Sequence, residues 1–215
     1  MESKKILIIV GSVVAMFAFL FGAYALTSQP KQVFFEQLKT VKVTDHSKWS
    51  KGKNILIEYS DFQCPACAGY YSMLKTFEEN PENKNLMSNT TFVYRNFPLD
   101  AAHPNARAAA RAAEAASLQN KFFEYHDMLF DKQTEWSPIG EPYTLFETYA
   151  RDLKLNTTKF KEDFNSNTVK EKVQTDYLSG IEVDVKGTPS FYLNGILIRN
   201  PQTPDELKKI LLESI

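Results

Sequence analysis

Ile55-Leu56-Ile57-Glu58-Tyr59-Ser60-Asp61-Phe62-Gln63-Cys64-Pro65-Ala66-Cys67 is the stretch that decides the fold. Its first five residues are a short β-rich run bounded by polar residues, which reads as a buried strand. A helix then starts near Cys64, with Pro65 in its first turn, where a missing N–H costs nothing. Tyr70, Tyr71, Leu74 and Phe77 continue it as an apolar stripe over 70–79. The chain has only two cysteines, and both lie in this strand-to-helix junction. One helical turn separates them, so their sulfurs come within bonding reach. The first sulfur meets unpaired backbone N–H groups and the positive end of the helix dipole. That favours the thiolate and predicts a lowered pKa for Cys64. Cys67, one turn deeper, is the expected resolving thiol.

Other readings of the pair are weaker. A structural disulfide across two intervening residues closes a very short loop and restrains the unfolded chain little. Half a zinc site lacks partners, because His46, His103 and His126 do not have ligand spacing. No metal and no cofactor are expected. Glu58, six residues before Cys64 in an apolar strand, is costly to bury as a carboxylate. A raised pKa would make it a proton acceptor for Cys67. Asp61, if aimed at the helix start, would disfavour the Cys64 thiolate. Gly187-Thr188-Pro189-Ser190 leads into a β run, and a cis bond before Pro189 is expected there. A proline without an N–H leaves neighbouring backbone open to an extended peptide.

Outward from this centre, Thr90–Phe97 reads as the next strand. Ala106–Leu118, dense in alanine, opens a helical block. It continues through Lys121–Phe130, Tyr143–Leu153, Thr157–Phe164 and Thr168–Leu178. Ser190–Leu193 and Ile196–Arg199 flank Asn194-Gly195, a strong hairpin signal. Thr203-Pro204-Asp205-Glu206 has the form of a capping box and begins the last helix. The order is βαβ, a helical block over about 104–180, then ββα, which predicts an α/β fold with a helical insertion.

The chain of 215 residues is 43% apolar and 24% charged, with 25 Lys plus Arg against 26 Asp plus Glu. The net charge of −1 shows no basic excess, so nucleic acid is not an expected partner. Residues 6–26 carry no charge and follow Lys4 and Lys5. About 21 apolar residues suffice for a transmembrane helix, with 1–5 inside and the remainder exported. Ala23-Tyr24-Ala25 also has the form of a signal-peptidase site, so a cleaved signal is the competing reading. Residues 27–48 read as a tether, and 49–213 as the folded domain.

Three segments together resemble the DsbA-like branch of the thioredoxin-fold superfamily. They are Glu58–Cys67, Tyr94-Arg95-Asn96-Phe97-Pro98-Leu99 with His103-Pro104, and Gly187–Phe191 with Asn194-Gly195. The resemblance implies an extracytoplasmic thiol–disulfide oxidoreductase, with Cys64 as nucleophile, Cys67 as resolving cysteine and Glu58 as buried acid. It implies that Thr188 and cis-Pro189 face the sulfurs, and that Thr188, Pro189, Pro65 and Ala66 contact substrate. The implied partners are unfolded exported proteins with cysteines and a membrane redox protein, served by a monomer in the bacterial cell envelope. Strongly oxidising members carry Pro-His between the cysteines. Ala66 replaces that histidine here, which makes the disulfide less oxidising. A reductase or isomerase fed by a membrane donor is one alternative. A tethered binding module or chaperone is the other. A homodimeric isomerase needs a dimerisation region, and 27–49 is short for one.

Overall fold

The computed structural model describes residues 2–27, 33–49 and 51–214, with side chains on the first helix described over 11–24. The chain divides into two units, Met1–Val33 and Phe34–Ile215. The first contains helix α1 (Glu2–Thr27). Among the described residues, no helix is long and apolar enough to cross a membrane. The anchor expected over 6–26 is therefore not supported there. Residues 6–10 and 25–26 of that anchor have side chains outside the described residues, and so do residues 28–32 of the expected tether.

Among the described residues, the second unit is built on five strands: β1 (His46–Trp49), β2 (Asn54–Ser60), β3 (Thr90–Asn96), β4 (Ser190–Leu193) and β5 (Ile196–Leu197). Their order is β1-β3-β2-β4-β5. β2 and β3 run parallel, and the other pairs are antiparallel. Among the described residues, nine α-helices follow α1: α2 (Pro65–Glu79), α3 (Lys84–Asn89), α4 (Ala106–Ser117), α5 (Phe122–Asp131), α6 (Gln133–Trp136), α7 (Tyr143–Asp152), α8 (Thr157–Asn165), α9 (Asn167–Glu182) and α10 (Pro204–Leu212). The parallel pair is covered on both faces. Leu56, Phe92 and Tyr94 pack with Cys67, Leu74 and Phe77 of α2. Ile57, Tyr59 and Val93 pack on the other side with Phe97, Val183 and Tyr192. Burial on both faces explains why these strands read as apolar runs rather than alternating ones.

Helices α4–α9 form the block between β3 and β4. α4 is its central member, with Ala109, Ala110, Ala112, Ala113, Ala115 and Ala116 all buried. Side chains of one methyl let neighbouring helices approach it from several sides. α9 runs past the expected end near Leu178. Gly180 within it is required by packing: a Cβ would lie 2.5 Å from the Phe97 ring.

The chain from Phe34 to Trp49 differs from the tether expected over 27–48. Phe34 bridges to Ile196, the Phe35 N–H donates to the Gly195 carbonyl at 2.8 Å, and Leu38 is fully buried. β1 joins the sheet edge although His46-Ser47-Lys48-Trp49 has no strand-like apolar pattern. Long-range contacts hold it. Arg95 donates to both oxygens of Asp45 at 2.9 Å, His46 stacks on Phe122, and Trp49 packs on Phe77 and Phe92. The hairpin turn has positive φ at both Asn194 and Gly195, as a two-residue turn of this type requires. The second strand of that hairpin ends at Leu197, short of the expected Arg199.

Candidate active site

β2 ends at Ser60, and a three-residue loop carries the chain to Cys64, the N-cap of α2. Pro65 occupies the first helical position. Both cysteines are free thiols. Cys64 is 7% exposed and Cys67 fully buried. Across from them the Thr188–Pro189 bond is cis, and the Cys64 thiol donates to the Thr188 carbonyl at 3.5 Å.

The two sulfurs titrate in opposite directions. Cys64 is lowered to about 5, chiefly because the Cys67 thiol hydrogen-bonds to its thiolate. Burial opposes this, while the backbone N–H groups of Cys67 and Ala66 and the Thr188 side chain assist. The helix start thus contributes, but the neighbouring thiol contributes most. Among the described residues the Thr188 hydroxyl has no partner while Cys64 is a thiol, so it is available to donate once the sulfur ionises. Burial pushes Cys67 well above its ordinary value, and the Cys64 and Glu58 charges add to that. Glu58 is raised to about 7 by burial, with Ser60 and the Lys48 charge pulling the other way.

Asp61 does not face the helix start. One oxygen accepts from the Gln63 N–H at 2.7 Å. The other meets the Leu99 N–H and His103 Nδ1, both at 2.8 Å. His103 is thereby a structural partner of the loop. His126 is a buried core group ringed by Phe62, Tyr71 and Tyr94, and burial lowers its pKa.

The loop is also clamped by residues that no local motif announces. Gln133 donates to the carbonyls of Phe62 at 2.7 Å and Cys64 at 3.0 Å. Gln63 accepts from the Asn105 N–H at 2.6 Å and donates to the Ser137 carbonyl at 2.9 Å. On the opposite wall, Asn200 donates to the Pro189 carbonyl at 2.6 Å. A groove beside the cysteines is lined by Ala66, Gly69, Tyr70, Met73 and Gln202. The Gln202 side chain donates to the Tyr70 hydroxyl across it. Among the described residues, no group of three His, Cys, Asp or Glu side chains is placed to hold a metal.

Residues 49–213 match the family model described as Thioredoxin. A probable disulfide bond formation protein D from Bacillus anthracis is 31% identical over 161 residues, covering 73% of this chain and 71% of that protein. The chain belongs to the thioredoxin family. A Na(+)/H(+) antiporter NhaA 1 from Mycolicibacterium vanbaalenii is 31% identical over 209 residues, 93% of this chain. The chain spans 32% of that antiporter's length. In fold it is similar to BdbD from Bacillus subtilis, with a TM-score of 0.69 at 21% identity over 86% of this chain and 98% of that one. It is likewise similar to alpha-DsbA1 from Wolbachia pipientis, with a TM-score of 0.70 at 18% identity over 83% and 94%.

Proposed function

We propose that this protein forms disulfide bonds in exported proteins outside the cytosol, held at the membrane by the apolar segment over 6–26. The observation that carries the reading is the opposed titration of the two sulfurs. A Cys64 thiolate favoured at neutral pH is a good leaving group, and a buried Cys67 that resists ionisation stays beneath it. A client thiolate attacks Cys64 of the oxidised pair. A client–Cys64 disulfide forms, and Cys67 leaves as thiolate and takes a proton, with Glu58 as its source. A second client thiolate then attacks the client sulfur and releases Cys64 as thiolate. The client has gained a disulfide, and the enzyme pair holds the two electrons. A membrane redox protein would reoxidise it.

Pro65 and Ala66 on one side, and Thr188 and Pro189 on the other, border Cys64 and would hold the client backbone. The supporting geometry is the cis peptide, the Thr188 carbonyl within reach of the Cys64 sulfur, and the groove beside Ala66. The test mixes oxidised full-length protein, in detergent micelles, with a reduced unfolded substrate containing two cysteines. One substrate disulfide should appear per Cys64–Cys67 disulfide consumed, and Cys64→Ser should abolish it. Failure to oxidise this substrate, with the reduced protein instead reducing a disulfide-bonded substrate and becoming oxidised itself, would support the reductase reading, which the Ala66 position favours.

A further inference from the structure

Glu58 and Ser60 lie two residues apart on β2, so their side chains leave the same face of the sheet. In the parallel register Glu58 sits opposite Tyr94, and Ser60 opposite Asn96, on β3. The same face packs against Cys67 of α2. Glu58, Ser60, Tyr94 and Cys67 are all buried. The Ser60 hydroxyl stands close enough to favour the ionised forms of Glu58, Cys67 and Tyr94 alike. Yet among the described residues neither Ser60 Oγ nor the Tyr94 hydroxyl completes a hydrogen bond of good geometry. Ser60 is shared among three neighbours and committed to none. A buried unpaired hydroxyl is unusual, and a task in the chemistry is one physical reason to keep it. A hydroxyl gives one proton and accepts through two lone pairs, so it can take from one side while giving on the other.

We propose that the Ser60 hydroxyl is the conduit by which a proton passes between the Glu58 carboxyl and the Cys67 sulfur. The proposal rests on the dithiol–disulfide reading above. When the client thiolate bonds to Cys64, the Cys64–Cys67 bond breaks and Cys67 leaves with the electron pair. The Ser60 O–H proton moves to the Cys67 sulfur, and the Glu58 acid proton replaces it on Ser60 Oγ. The products are the mixed disulfide, a neutral Cys67 thiol and a Glu58 carboxylate. The client sulfur is oxidised and Cys67 reduced. Reoxidation of the pair runs the proton back.

The other groups around this pocket set its limits. Lys48 on β1 draws Glu58 toward the carboxylate. Cys64 at the helix start opposes ionisation of Cys67, and Asp61 in the preceding loop opposes that of Tyr94. His126 of α5 lies edge-on to Tyr94 at 4.8 Å and is disposed to neutrality by burial. Tyr94 itself is held far toward its neutral form, so it offers no competing base.

The experiment follows mixed-disulfide formation between the oxidised full-length chain, in detergent, and a dithiol peptide from pH 5 to 9. Wild type is compared with Ser60→Ala, Glu58→Gln and the double variant. Loss of a relayed proton should slow each single variant about tenfold or more near pH 7 and remove the break in the pH profile. The double variant should be no slower than the slower single. Ser60→Ala removes an unpaired hydroxyl and should keep the wild-type unfolding temperature. Should it fail to fold, the wild-type rate in H₂O–D₂O mixtures decides. Two protons in flight give a curved dependence, and a linear one overturns the relay. Ser60→Ala with wild-type rate and an unchanged break also overturns it, as does a double variant whose losses multiply. A wild-type chain that forms no mixed disulfide overturns the functional reading together with this one.

Discussion

Glu58→Gln should make the protein more stable at alkaline pH, by an amount the structure sets. Glu58 is 3% exposed on β2 and its carboxyl titrates at about 7, against an ordinary 4.5. The raised value means the folded state holds a proton that the unfolded chain has released. Stability is therefore lost as pH rises from 4.5 toward 7 and stays lost above. At about 1.36 kcal/mol for each tenfold, the full loss is about 3.4 kcal/mol. About 2.5 kcal/mol of it falls between pH 5 and pH 8. Glutamine has nearly the same shape and no charge, so the variant lacks this dependence. Cys64 also titrates in this range, but it does so in both proteins and cancels in the comparison. The assay is urea unfolding of the reduced proteins at pH 5, 6, 7 and 8. The gap in favour of Glu58→Gln should widen steadily with pH. A gap constant to within about 0.5 kcal/mol would refute the buried, raised carboxyl.

The remaining predictions concern the sulfur and its supports. Alkylation of reduced Cys64 by iodoacetamide should rise through a midpoint near pH 5, where the thiolate forms, and a midpoint above 8 would contradict the site geometry. Thr188→Val removes a group that favours the thiolate, so that midpoint should move up. Asp45→Ala leaves the Arg95 guanidinium buried and unpaired, which costs about 3–5 kcal/mol. Urea unfolding measures this, and a loss under about 1 kcal/mol would mean the pair is solvated. Gln133→Leu strands the Phe62 carbonyl and leaves the Cys64 carbonyl with only the Ala68 N–H, for about 1–3 kcal/mol of stability. Faster hydrogen exchange in the 61–64 loop should accompany that loss.

Much of the fold was legible because its signals are local. The strand before Cys64, Pro65 at the helix start and Asn194-Gly195 each act over a few residues, and each lies where the sequence indicated. Thr203 accepts from the Glu206 N–H at 3.2 Å as a capping residue should. The Glu206 carboxylate reaches the Gln202 N–H rather than that of Thr203. β1 was not legible, since its register comes from β3 and from an Asp45–Arg95 pair fifty residues apart. Gln133, Asn105 and His103 were missed as supports for the same reason. Each meets the active-site loop from at least forty residues away, and no spacing rule reaches that far. Glu58 stood out because apolar neighbours flank it, whereas Ser60 looked like an ordinary strand end.

The most direct measurement of the central claim is the reduction potential of the Cys64–Cys67 pair in the full-length chain, equilibrated in glutathione buffers. A disulfide donor with a Cys64 thiolate formed near pH 5 should lie above about −180 mV, toward the DsbA value of about −120 mV. A potential near about −270 mV, the thioredoxin value, would contradict donation and make the protein a reductase.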